Sequence, residues 1–322
     1  MGERGGPGMG QDEGHPPITG AGDGILTLPD ALVDGDWLAA HLGHPDLRVV
    51  DIRGYVRTTD LGAGLQRADY LGARDEYDAG HIPGATYVDW TADIIDPDDP
   101  VPAQIAPPGT FARAMAERGI GPESAVVAYD HTGGHFATRL WWALRYHGHD
   151  RVAVLDGGWN GWVTAGRPVT TDLPTVPAAA FTPRLVPALR AGVDDLAATV
   201  GHPGPPAPCI IDARDREQYT GATRRGPRGG HIPGAIHLPS KALVEADGRW
   251  KSLPDQRAVV EAAGIAPADP VIAYCNGGVT ATGVLFALHR LGYGDGANYD
   301  GSWNEWGERA DLPVEEGAPG QE

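Results

Sequence analysis

The chain has 322 residues and a net charge of -18. That length suggests two domains of about 150 residues each, and the acidic balance argues against nucleic acid or an anionic membrane surface as a partner. Cys209 and Cys275 are the only cysteines, which makes no disulfide framework and fits a reducing cytoplasm. No apolar run reaches the length of a membrane span, and no basic stretch followed by an apolar one opens the chain.

Met1 to Gly24 is rich in Gly, Pro and polar residues without periodicity and reads as a disordered tail. A first domain is expected over residues 25–172. Leu38, Ala39 and Leu42 suggest a short helix, and Leu47 to Asp51 a strand. A polar, glycine-containing stretch leads to Ala79-Gly80-His81-Ile82-Pro83-Gly84-Ala85. Thr110 to Gly119 reads as a helix ending at glycine. Ala125 to Tyr129 is a strand, and Asp130-His131-Thr132-Gly133-Gly134 follows it. The next helix carries Leu140 and Leu144. Val152 to Leu155 is a strand that runs into Asp156-Gly157-Gly158-Trp159.

Residues 173–191 are rich in Pro, Ala and Thr and read as a linker. From residue 192 to 322 the programme repeats. Val193 to Val200 is a candidate helix and Cys209 to Asp212 a strand. His231 sits in a second Gly-His-Ile-Pro-Gly-Ala segment, 150 residues after His81. Val271 to Tyr274 is a strand, and Cys275 follows at its end, 145 residues after Asp130. Asp300 in Tyr299-Asp300-Gly301-Ser302-Trp303 lies 144 residues after Asp156. Near-constant offsets across several motifs mark a tandem duplication. Strands alternating with helices in each copy predict two α/β domains, each with a mainly parallel sheet flanked by helices.

Chemistry concentrates in Cys275-Asn276-Gly277-Gly278-Val279-Thr280. This is a tight glycine loop between a buried strand and a helix. Backbone N–H groups of such a loop converge, and the helix amino terminus adds partial positive charge. A thiolate there is stabilised and becomes a usable nucleophile. A buried structural cysteine is the plainer alternative, but the strand–Cys–Gly-Gly–helix context argues against it. The first copy has Asp130 in the same place, so only one copy keeps the thiol. In parallel sheets the working loops lie at the carboxyl ends of the strands, where both of these fall.

The paired Gly-His-Ile-Pro-Gly-Ala segments, the Tyr299-to-Trp306 segment and the Cys275 loop resemble the two-domain rhodanese family of sulfurtransferases, over about residues 25–315. The resemblance implies an inactive first domain and a catalytic second one. It also implies sulfur transfer through a Cys275 persulfide, from a small anionic donor such as thiosulfate or 3-mercaptopyruvate to cyanide or a thiol. Loop N–H groups from Asn276 to Thr280 would hold the anion. Thr280 would add a hydroxyl donor or cap the helix.

The donor stays open. Asn276 and Gly277 lack the cation of thiosulfate-preferring members, and Gly277 lacks the hydroxyl of mercaptopyruvate-preferring ones. Of the two arginines that hold a donor carboxylate in the latter, Arg224 fits one place and Gln218 stands in the other, with Arg216, Arg225 and Arg228 as substitutes or as a solvated basic loop. His81 is a candidate substrate contact, although a turn-fixing role for His81 and His231 is the stronger expectation. Asp212 with Arg214, and Asp51 with Arg53, read as structural pairs, the tryptophans as packing, and Cys209 as structural. Histidine spacing gives no metal site, and no cofactor is implied.

A cysteine-dependent phosphatase would need an arginine six residues after the cysteine, and Ala281 stands there. A sulfur-carrier or regulatory module fed by a protein partner is the remaining alternative. Retention of Cys275 in an intact loop favours the enzyme.

Overall fold

A computed structural model describes residues 25–201 and 207–317. The Met1–Gly24 stretch expected to be a disordered tail lies outside them.

The first unit runs β1 (Leu32–Val33), α1 (Gly35–His41), β2 (Leu47–Asp51), β3 (Gly54–Gly62), β4 (Leu65–Gly72), α2 (Arg74–Ala79), β5 (Thr86–Tyr87), α3 (Pro108–Glu117), β6 (Ala125–Tyr129), α4 (His135–Tyr146), β7 (Val152–Leu155) and α5 (Gly158–Thr164). Five of its strands form a parallel sheet in the order β1-β7-β6-β2-β5. The second unit runs β8 (Arg190–Ala191), α6 (Val193–Gly201), β9 (Cys209–Asp212), α7 (Arg216–Tyr219), β10 (Ile236–His237), α8 (Leu253–Ala262), β11 (Val271–Tyr274), α9 (Ala281–Arg290), β12 (Ala297–Tyr299) and α10 (Ser302–Trp306). Its sheet, read from β8, has the order β8-β12-β11-β9-β10, the same topology.

Both units use one device at the strand ends. Tyr129 donates its hydroxyl to Asp51 at 2.7 Å, and Tyr274 does the same to Asp212. Each aspartate is paired in the core with an arginine two residues on, Arg53 or Arg214, which also lies over a tryptophan ring. These pairs are structural, as expected. The buried charges persist because every one is paired and hydrogen-bonded.

Helices α4 and α9 are apolar around most of their circumference, and a helix of that kind must be buried on all sides. They pack on each other between the two sheets. Thr138 and Thr282 share a hydrogen bond of 3.0 Å, and Trp141 meets Phe286 edge-on at 5.1 Å. One apolar core therefore runs through both units, with a smaller cluster on the outer face of each sheet.

Two features depart from the sequence reading. The predicted linker of residues 173–191 has no regular structure through Leu185, yet it is strapped to the first unit: Arg184 N–H donates to His147 O and Val186 N–H to Tyr146 O. Its last two residues, Arg190–Ala191, are already the edge strand β8, so the second unit begins before residue 192. A two-residue strand carries no periodicity to read. The second departure is the polar stretch after Asp51, which forms an antiparallel hairpin of β3 and β4. Its tip reaches the second unit. Gln66 N–H donates to Arg224 O, and Arg224 N–H donates to Gly64 O, both at 2.8 Å. Gly64 has φ +73, and a Cβ there would lie 2.4 Å from Ala222 O, so the crossing needs glycine.

Among the described residues, no helix is long and apolar enough to cross a membrane.

Candidate active site

Cys275 stands at the carboxyl end of β11 and is 2% exposed. It lies on the wall of a cavity of about 210 Å³ that both units line. The second unit contributes Arg214, Gln218, Arg225, Lys241 and the Cys275 loop. The first contributes Val56 and Tyr70 from the hairpin and His135 from the start of α4.

The loop is held from beneath by Ser302. Its Oγ accepts the N–H of Cys275 and the N–H of Gly278, each at 3.0 Å, and donates to Tyr299 O at 2.7 Å. Ser302 has φ +50, a conformation that L-residues avoid and that functional sites retain. Trp303 N–H donates to Cys275 O, and Asn304 N–H to Asn276 O. Gly278 has φ +68, and a Cβ on it would lie 2.8 Å from Asp300 Oδ1. Its carbonyl accepts from Arg139 Nη1 and Asn298 Nδ2, both at 3.0 Å.

Arg139 belongs to the first unit. It is paired with Asp300 at 2.5 Å, both groups 1% exposed, and also donates to Ala103 O. Asp300 Oδ2 in turn accepts from Ile105 N–H at 2.8 Å. The first unit therefore fixes the back of the Cys275 loop through a buried ion pair.

The matching loop of the first unit shows what this architecture binds. The Asp130 carboxylate takes four backbone N–H groups of its own loop and helix start: Thr132 at 2.7 Å, Gly134 at 3.0 Å, Phe136 at 2.7 Å and Ala137 at 2.9 Å. The strand–loop–helix turn is thus an anion cradle, filled here by a side chain. In the second unit, the N–H groups of Asn276, Gly277, Val279 and Thr280 have no acceptor among the described residues.

Charge in the cavity comes from three cations. Arg214 is committed to Asp212, and Lys241 to Asp215. Arg225 has no carboxylate partner among the described residues and donates to Thr58 Oγ1 of the hairpin at 3.0 Å. Burial pulls its pKa down, and the neighbouring Tyr70 and Cys275 act in the opposite direction.

Asn276, Gly277, Val279 and Thr280 line the cavity together with Cys275, while Gly278 serves the loop backbone. Thr280 occupies the cap position of α9 in a helical conformation, and its hydroxyl makes no capping bond. Asn276 donates Nδ2 to Gln218 Oε1 at 3.1 Å.

Two site expectations change. Arg224 does not line the cavity. Its backbone pairs with the hairpin tip, its guanidinium reaches toward Ala63 O, and Arg225 takes the place at the cavity. His81 is wholly buried away from the cavity. Its Nδ1 lies 2.8 Å from Tyr77 O and its Nε2 3.1 Å from Asp172 O, so it fixes a turn. His231 does likewise with Tyr219 O. The sequence reading did not single out Val56, Tyr70, His135, Arg139 or Ser302 as site residues. Among the described residues no cluster of metal-ligating side chains occurs.

The Rhodanese-like domain family matches residues 34–165 and 193–309. The chain is similar to the sulfur carrier protein TtuD of Thermus thermophilus, 32% identical over 90% of this chain and 98% of the relative. It is 33% identical to SseA of Mycobacterium tuberculosis, named a putative thiosulfate sulfurtransferase, over 89% of this chain and 91% of the relative. The crystal structure of SseA from Escherichia coli, described with the catalytic mechanism of 3-mercaptopyruvate sulfotransferases, superposes with a TM-score of 0.73. It is 32% identical and covers 84% of this chain and 98% of its own. With two matched segments, two sheets of one topology and a single cysteine loop, the chain belongs to the rhodanese family as a tandem member.

Proposed function

We propose that the protein is a sulfurtransferase that carries sulfane sulfur on Cys275. The observation that carries this reading is the pairing of two loops of the same design. One closes on a carboxylate with four N–H groups. The other presents a thiol to a cavity with an uncommitted guanidinium, Arg225.

The Cys275 thiolate attacks the outer sulfur of thiosulfate or the sulfur of 3-mercaptopyruvate, and sulfite or pyruvate leaves. The persulfide lies among the loop N–H groups of residues 276–280, which stabilise its negative charge without reorganising. A second nucleophile, cyanide or a thiol, removes the outer sulfur and restores Cys275. Covalent storage splits the transfer into two displacements. Arg225 holds the anionic part of the donor. A cavity of about 210 Å³ suits donors of this size. The free state of Cys209 and Cys275 fits a reducing cytoplasm.

Intact-protein mass spectrometry after brief exposure to each donor tests the reading. Expected is a gain of one sulfur atom that cyanide removes and that Cys275→Ser lacks. Arg225→Gln is expected to raise KM about tenfold, as loss of one charge-assisted bond implies. No sulfur gain from either donor would leave the carrier reading, suggested by the Thermus relative, in which a protein partner loads the same cysteine.

A further inference from the structure

The two donor classes differ by one proton. With thiosulfate, the Cys275 Sγ–S bond forms, the donor S–S bond breaks, and the electron pair leaves on sulfite, which needs no proton. With 3-mercaptopyruvate, the donor S–C bond breaks and the pair leaves on carbon as the enolate of pyruvate. That carbon must be protonated, while the new persulfide still holds the donor's S–H proton. A positioned acid is worth most in the second case. The loop offers no hydroxyl at its third position, because Gly277 stands there.

We propose that Tyr70 is this acid: its phenol protonates the departing carbon and then takes the persulfide proton. The products are pyruvate, neutral tyrosine and the persulfide anion, so charge and protons balance with no further reagent. The inference rests on the sulfurtransferase reading above.

Several observations carry it. Tyr70 lines the cavity that holds Cys275. Its oxygen accepts from Asn304 Nδ2 at 3.0 Å, and its own O–H has no acceptor among the described residues. Protein donors thus address the oxygen and leave the proton available to a ligand. The same amide, with the Arg225 guanidinium nearby, stabilises a transient phenolate: both act against the upward push that burial, and to a lesser degree Cys275, exert on this phenol. The ring is fixed, edge-on to Trp90 at 5.4 Å, while Trp90 Nε1 donates to Leu71 O at 3.0 Å.

The last observation links Tyr70 to the missing hydroxyl. A Cβ on Gly277 would lie 3.0 Å from Asn304 Nδ2. The amide that holds Tyr70 crowds this position, so a serine or threonine there would press on Asn304.

Other protic groups line the cavity as well: Lys241 is paired with Asp215, Ser240 and Thr280 present alcohol hydroxyls, which are weaker acids than a phenol, and His135 presents an imidazole. Its Nε2 is 3.5 Å from Ser240 Oγ, and burial lowers its pKa, which makes it a poor proton donor at neutral pH.

Steady-state kinetics of Tyr70→Phe with both donors, beside His135→Asn, test the assignment. Expected for Tyr70→Phe is a fall in kcat of about 100-fold with 3-mercaptopyruvate, KM within twofold, and thiosulfate turnover within twofold. Intact thiosulfate turnover also reports a folded cavity. Equal loss with both donors would mean a structural role and overturn the proposal, as would no loss with either. A donor-selective fall in His135→Asn alone would move the role to the imidazole. A wild type that loads sulfur from thiosulfate but never from 3-mercaptopyruvate overturns this proposal and leaves the sulfurtransferase reading standing. Loading from neither overturns that reading.

Discussion

After β6, the Asp130 carboxylate turns back into its own loop and takes four N–H groups. After β11, the Cys275 loop keeps N–H groups without an acceptor among the described residues and is supported from beneath by Ser302. The residue before Trp159 is Gly158, and the residue before Trp303 is Ser302. Both have φ +50. Glycine adopts that conformation freely, whereas serine holds it at a cost of about 1–2 kcal/mol. The copy with the cysteine therefore tolerates strain to place one hydroxyl under its loop, and the copy with the aspartate does without it. The fold supplies the cradle in both halves. What separates them is which atom fills it.

The sharpest way to break the comparison is to make the second loop a copy of the first. Cys275→Asp is expected to abolish sulfur transfer and leave the fold intact. Its thermal midpoint should equal or exceed that of the wild type, because the carboxylate finds ready N–H donors. A midpoint lower by many degrees would show that the second loop is no anion cradle. The converse change is Asp130→Ala. It leaves four N–H groups in a buried loop without their acceptor, and urea unfolding is expected to register a loss of about 3 kcal/mol or more. Asp130→Asn, which keeps one acceptor oxygen, should lose less.

A smaller effect separates the helices behind the loops. His147 closes α4 where Leu291 closes α9. Burial pushes the His147 imidazole down to about 4, below its ordinary 6.5. Between those values the unfolded chain binds the proton and the folded chain does not. His147 therefore leaves stability intact above pH 6.5 and lowers it as pH falls toward 4, by about 3 kcal/mol in all. Unfolding free energies at pH 7.5 and pH 5 should differ less in His147→Leu than in the wild type. An unchanged difference would remove His147 from the account.

The duplication, the strands and the cysteine loop were legible because each is local: a short apolar run, a glycine turn and a helical period, repeated at a near-constant spacing. What escaped depends on contacts across the chain. The hairpin carried a signal in Gly62-Ala63-Gly64 between runs containing Val56, Thr58, Thr59 and Tyr70, but its purpose lies with Arg224, about 160 positions later in the chain. That partner also decides which arginine faces the cavity. Arg224 pairs by its backbone with the hairpin tip, and along extended chain the next side chain points the other way, so Arg225 turns to the cavity. His81 looked available only because Asp172 O, which occupies its Nε2, comes from a distant segment. The Arg139–Asp300 pair likewise joins positions that no periodicity connects.

The hairpin has a further consequence. A gene cut between the repeats would yield a second half that keeps the thiol and its loop. It would lack Val56, Tyr70 and His135 along one wall, and Arg139 behind the glycine turn. Such a fragment would have a nucleophile without an enclosure, open to any passing oxidant or thiol. The repeat that carries the aspartate is part of the housing of the repeat that carries the thiol, and the cavity exists only where the two meet.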